Sequence, residues 1–141
     1  MALPLNEVPK YTCDLPSTGQ SITYRPFLVK EQKVMLMAME SEDENEISQA
    51  VIDTMQSCMV SEIDIKSLPI FDFEYLYLKV RAKSVGETVK LRIKCPDDEK
   101  EIVEQEVNID KIEVDMPKDH TNKIEFEPGY GVIMNYPTLS Y

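Results

Sequence analysis

The sequence predicts an α+β fold with an N-terminal β-hairpin, a three-helix centre and a mostly antiparallel C-terminal β-sheet. Three observations carry this. Apolar residues alternate with period two before residue 26, recur at helical spacing between 27 and 86, and return to period two from Thr88. Helices and strands segregated in this way indicate α+β rather than alternating α/β. The 141 residues suit one domain spanning 1–141, with hairpin 1–26, helical part 27–86 and antiparallel part 87–141.

Tyr11, Cys13 and Leu15 alternate on one face, then Ile22 and Tyr24 do so again, which predicts a hairpin. Between them, Leu15-Pro16-Ser17-Thr18-Gly19 matches a sortase anchoring pentapeptide. That signal requires a following hydrophobic segment and basic tail, so a Pro/Ser/Gly turn is the expectation. The first helix is expected to open at Pro26, which suits a first helical turn, and to run through Leu28, Met35 and Met39. The second has the clearest period: Ile47, Ala50, Val51, Thr54, Met55, Cys58 and Met59 form one apolar stripe. Asp43 and Glu46 are placed for a capping box, and the acidic run 40–46 for a solvated, dipole-favoured helix start.

The segment Ser67 to Ser84 alternates aromatics like a strand at Phe71, Phe73, Tyr75 and Tyr77. Its length and punctuation favour a helix: Ser67 as N-cap, Pro69 early, Asp72 and Glu74 in the first turns, Arg81 and Lys83 in the last, Gly86 beyond. Apolar on most sides, it is expected to be largely buried. From Thr88, Val89, Leu91, Ile93 and Cys95 face one way, with Lys90, Arg92 and Lys94 opposite. After a turn at 96–100, Glu104 and Glu106 alternate with Val103 and Val107, so cationic and anionic rows should meet across a hairpin. Further strands are expected at Ile112–Met116, Lys123–Glu127 and Val132–Tyr136.

A formal net charge of −11 and a pI near 4.5 set the partner class. Such a field repels phosphate backbones and anionic membranes, and favours contact with basic protein surfaces. Neither a secretory signal nor a membrane-spanning apolar run is visible. Three widely separated cysteines, Cys13, Cys58 and Cys95, imply no disulfide framework and suit a reducing cytoplasm.

Chemistry-bearing patterns are sparse. His120, the single histidine, sits in a polar stretch and reads as a surface residue rather than a partner for a cysteine or serine nucleophile. Cys95-Pro96 is similar to the start of a zinc knuckle, but position 98 is Asp and no second cysteine pair follows. Cys95 is therefore expected in the core. The glycines are too scattered for a phosphate loop. No catalytic, metal or cofactor residues are assigned, and the chain is read as non-enzymatic. Eight methionines suit either an irregular core or an adaptable binding surface.

The block Tyr24-Arg25-Pro26-Phe27-Leu28-Val29-Lys30-Glu31 resembles the start of the baseplate hub assembly proteins of T-even-type tailed phages. Leu68-Pro69-Ile70-Phe71-Asp72-Phe73-Glu74-Tyr75-Leu76, Arg81-Ala82-Lys83-Ser84-Val85-Gly86-Glu87 and Met134-Asn135-Tyr136-Pro137-Thr138-Leu139 are similar to the same family, in order. The resemblance implies a hub assembly chaperone or scaffold with phage hub subunits as partners. It implies the cytoplasm of an infected bacterial host as the location during assembly, or the virion baseplate itself. It carries no catalytic residues and no cofactor. Some relatives have more cysteines around Cys95, and relatives continue in a helical tail beyond the Leu139 block.

Arginine and aromatics dominate interface hot spots. Partner-binding residues are therefore expected at Arg25 and Phe27, at the hairpin–helix junction, and at Tyr130 and Tyr136 near the end; core packing is the alternative for each aromatic. Three rival functions stand beside the assembly factor: a permanent baseplate component, an envelope- or hub-directed enzyme, and an acidic mimic of nucleic acid.

Overall fold

The computed structural model describes residues 8–94, 102–127 and 129–139. Strands β1 (Tyr11–Asp14) and β2 (Ser21–Tyr24) pair antiparallel, with Tyr11 opposite Tyr24 and Asp14 opposite Ser21. The Leu15–Gly19 segment is the turn expected of it. Gly19 N–H donates to Leu15 O at 2.7 Å, and Gly19 takes φ 68°, a left-handed conformation free of steric cost only without a Cβ. Leu15, Ile22 and Tyr24 are buried on the inner face.

Helix α1 (Val29–Glu40) starts three residues later than the sequence suggested. Pro26 is not in its first turn, because the preceding segment is held extended. Arg25 N–H donates to Cys58 O and Phe27 N–H to Ser84 Oγ, both at 2.9 Å. Leu28 takes the N-cap position, and its N–H donates to Glu31 Oε2 at 2.6 Å.

Helix α2 (Glu44–Cys58) packs against α1. Asp43 caps it, its Oδ1 accepting the N–H groups of Asn45 and Glu46. The reciprocal half of the capping box is replaced: Asp43 N–H donates to Ser41 Oγ instead of to Glu46.

Helix α3 (Ile70–Ser84) also starts later than expected. Ser67 does not cap it, because its hydroxyl donates to Asp64 O within a short 3-10 turn, Ile65–Ser67. Leu68 is extended, as a residue before proline prefers, and Pro69 takes the cap position. The helix is the centre of the molecule, with Asp72, Leu76, Val80 and Ala82 buried. The core joins Ile22 and Tyr24 of the hairpin, Met55 and Cys58 of α2, Ile65 and Leu68 of the 3-10 segment, and Leu76 and Val80 of α3.

A buried carboxylate ties the hairpin turn to α3. Asp72 is 0 % exposed and accepts two hydrogen bonds from Ser17, one from N–H at 3.1 Å and one from the hydroxyl. Asp72→Ala strands both Ser17 donors under the turn, and it is expected to cost about 2 kcal/mol. The check is a lower urea midpoint at unchanged slope; an unshifted midpoint would show that water replaces the carboxylate without penalty.

Strands β3 (Thr88–Lys94) and β4 (Ile102–Asn108) form a ribbon in which Lys90 faces Glu106 and Arg92 faces Glu104, as the charge rows predicted. Arg92 Nε and Glu104 Oε1 are 3.7 Å apart. The expectation that Cys95 is a core residue, and the turn at 96–100, lie outside the described residues. The ribbon's base is fixed to α3 by Lys83, which pairs with Glu87 at 2.7 Å and Asp110 at 3.2 Å, and by Lys79, which donates to Asp110 O.

The strand expected at Ile112–Met116 does not form. Asn108 Oδ1 accepts the N–H groups of Asp110 and Lys111, and Ile112 N–H donates to Ile109 O. This 3-10 turn uses the local backbone groups itself, and Val114 and Met116 are half-buried without a strand partner.

The last strands, β5 (Lys123–Glu127) and β6 (Tyr130–Ile133), pair antiparallel with a bulge between Glu125 and Glu127. β6 begins and ends earlier than the expected Val132–Tyr136, because the Met134 N–H bond to Asn122 O closes the ribbon and Tyr136 leaves it. The fold is thus α+β with antiparallel C-terminal strands, paired as two separate two-stranded ribbons among the described residues. The chain then returns to the start of α3, where Ile70 N–H donates to Pro137 O at 3.1 Å and Leu139 packs against the core.

Candidate protein–protein interface

Two strands alone cannot bury an apolar face, which must find cover on another layer. Among the described residues, the outer part of the first C-terminal ribbon and the whole of the second lack that cover. On the first, Leu91, Ile93, Ile102 and Val103 are exposed. On the second, Ile124, Val132 and Met134 are exposed, with Phe126 at 69 %, Tyr130 at 74 % and Ile133 at 67 %. Helix α1 adds Val34, Leu36, Met37 and Met39, with Val29 at 83 %. Covering one large apolar side chain releases about 1.5–3 kcal/mol, and apolar surface of this extent on a soluble protein marks contact sites. The methionines divide between both roles: Met55 is core, whereas Met37 and Met39 are surface.

The structure separates the four expected partner-binding residues. Arg25 and Phe27 come together at the hairpin–helix junction, but each is engaged within the chain. The Arg25 guanidinium pairs with Glu31 at 2.9 Å and donates to Pro26 O at 3.0 Å and Ser57 O at 2.9 Å. Phe27 packs against the core with its ring 6.4 Å from that of Tyr77. Tyr136 sits in an aromatic stack between His120, 5.8 Å away and nearly parallel, and Phe71, 4.9 Å away and edge-on. His120 Nε2 and the Tyr136 hydroxyl share a hydrogen bond. Tyr136 keeps 38 % of its surface in solvent and Tyr130 keeps 74 %, the most of the four.

Sequence reasoning did not single out Phe126 and Ile133. The signal was available: three helices and one hairpin already fill a small core, so apolar strands following them have nothing left to cover.

The titratable groups are set as structural groups are. Burial pushes the Cys13 thiol up to about 11, despite opposition from Lys79, and burial also raises that of Cys58. Both therefore stay protonated and weakly nucleophilic at neutral pH. Burial likewise pushes the Tyr24 phenol up to about 12. A shallow depression of about 730 Å³ beside α2 is lined by Asp53, Gln56, Glu62, Asp64 and Lys66 among others, and no cysteine or histidine among the described residues lines it. Among the described residues no cluster of three His, Cys, Asp or Glu side chains is placed to hold a metal. No helix among them is long and apolar enough to cross a membrane.

No curated protein and no solved structure matches the chain significantly. A family model, described as T4 bacteriophage base plate protein, matches residues 8–141. A small base with its own core and uncovered apolar ribbons accords with a part made to contact other baseplate proteins, and over nearly its whole length the chain belongs to the T4 bacteriophage base plate protein family.

Proposed function

We propose that the chain is a non-enzymatic assembly factor for the baseplate hub, a chaperone or scaffold acting in the infected host cell through contacts with hub subunits. The observation that carries this is the uncovered apolar surface of the ribbons, led by Phe126, Tyr130 and Ile133, on a base whose own core is complete. Surface of this kind can cover an apolar patch or open strand edge on a subunit that would otherwise aggregate. The protonated Cys13 and Cys58 thiols and the exposed, stacked His120 support a role without a reacting group. The test is co-expression with each hub subunit in turn, followed by size-exclusion chromatography. One subunit is expected to co-elute and to become more soluble; failure with every subunit removes the proposal.

A second reading, a permanent baseplate component, draws on the family's description as a base plate protein. Purified virions separate the two: a permanent component is present in stoichiometric amount, and a transient assembly factor is absent.

A further inference from the structure

An open strand edge is a template for pairing with another chain, and proteins protect such edges with charge, proline or cover. Of the four C-terminal strands, β3 carries Lys90, Arg92 and Lys94, β4 carries Glu104 and Glu106, and β5 carries Lys123, Glu125 and Glu127. β6, with the sequence Tyr130-Gly131-Val132-Ile133, carries no charge and no proline. The other uncharged strand, β2, is covered from within. Its Thr23 O accepts the N–H groups of Val60 and Ser61, and its Thr23 N–H donates to Ser61 Oγ at 2.9 Å. β6 has β5 on one side and no further strand among the described residues.

The pairing says which groups are free. Met134 N–H is spent on Asn122 O, inside the ribbon. Antiparallel strands turn alternate residues to opposite edges, so Val132 also bonds inward while Gly131 and Ile133 point their N–H and C=O groups outward. Gly131 lies opposite Glu125. A Cβ there would approach Ile124 O at 3.0 Å and Glu125 Cγ at 3.7 Å, so the backbone is bare where the glutamate crosses it. Glu125 forms no ion pair among the described residues.

We propose that the outer edge of β6 takes an extended apolar strand from a baseplate partner, with a lysine or arginine in that strand facing Gly131 and reaching Glu125. The inference rests on the assembly reading above and specifies its docking mode. Charge selects a different protein over a second copy. Two copies bring together net charges of −11 each and two unpaired glutamates, whereas a cationic strand supplies the missing counter-ion.

The experiment compares wild type with Ile133→Pro and Glu125→Lys against each purified hub subunit by surface binding, with thermal melting of each variant as the folding control. Proline removes an outward N–H that β5 does not use, a place edge strands tolerate it. Both variants are expected to weaken binding of the same subunit at least tenfold, with the variants still melting cooperatively. Equal binding by wild type and either variant overturns this docking mode, Ile133→Pro the strand edge and Glu125→Lys the cation contact, while leaving the assembly function standing. No binding by wild type removes both. Elution of wild type as a dimer that Ile133→Pro converts to monomer overturns the choice of partner in favour of a second copy.

Discussion

Arg25→Ala is expected to destabilise the protein by about 3 kcal/mol, because removal of one partner leaves a buried charge uncompensated. That corresponds to a fall in melting temperature of roughly 10 °C for a chain of this size. Glu31 is only 5 % exposed, yet it sits in the first turn of α1, where the helix dipole favours an anion. Its carboxylate is satisfied by Arg25 Nη2 at 2.9 Å, Leu28 N–H at 2.6 Å and a long contact from Ser57 Oγ at 3.4 Å. The same guanidinium donates to Ser57 O, so one side chain joins the hairpin exit, the start of α1 and the end of α2. Lys30, whose ammonium is 3.6 Å from Glu31 but mostly in water, is the control: Lys30→Ala should cost less than about 0.5 kcal/mol. Comparable small effects from both variants would show that Arg25 is not a clasp, and would return it to the list of contact residues.

The pH dependence of this pair has a defined sign. Burial opposes ionisation of Glu31, but the hydrogen bonds from Arg25 and Leu28, with the charges of Arg25 and Lys30, outweigh it and hold the carboxyl below its ordinary range. A depressed folded-state value contributes stability that is complete above the unfolded value, about 4.3 for glutamate. It is lost as pH falls through the folded value. The unfolding free energy of Arg25→Ala should therefore fall less steeply than wild type below about pH 4.3.

How far the sequence foretold this arrangement depends on how local each signal was. The α2 stripe from Ile47 to Met59, the Lys90–Glu106 and Arg92–Glu104 rows and the Gly19 turn all rest on neighbours in sequence or on one hairpin register, and each was legible. The starts of α1 and α3 were misplaced, because Phe27 N–H is claimed by Ser84 and Ser67 Oγ by Asp64, the first of these a partner 57 residues away. Period two at Ile112, Val114 and Met116 was real, but a strand also needs a free edge, and alternation does not reveal whether one exists. Whether the expected contact residues would stand exposed or engaged was half legible for the same reason. Arg25 and Tyr130 were chosen by residue type. Type alone does not separate an arginine held by a buried glutamate from a tyrosine that stands 74 % exposed.

That division between a completed base and an uncovered ribbon predicts opposite outcomes for two apolar truncations. Leu76→Ala, in the fully buried centre of α3, removes packed methyl groups and leaves a cavity, at a cost of about 3 kcal/mol. Phe126→Ser removes a larger side chain, but one that is 69 % exposed and on a ribbon. Its cost to the isolated protein should stay below about 0.5 kcal/mol, and the solubility of the isolated protein should rise. In the presence of the hub subunit proposed as partner, the order is expected to reverse. Truncation of a buried aromatic anchor typically costs about 2 kcal/mol or more of binding, so Phe126→Ser should weaken capture by roughly thirtyfold. Leu76→Ala should bind normally at temperatures where it remains folded. The pair is measured by urea unfolding and by titration of the subunit. If Phe126→Ser unfolds at the same urea concentration as Leu76→Ala, the ribbon is part of the core and the exposed surface is not free for a partner. If it keeps both its stability and its binding, the contact surface lies elsewhere, and the uncovered face of α1 becomes the next place to cut.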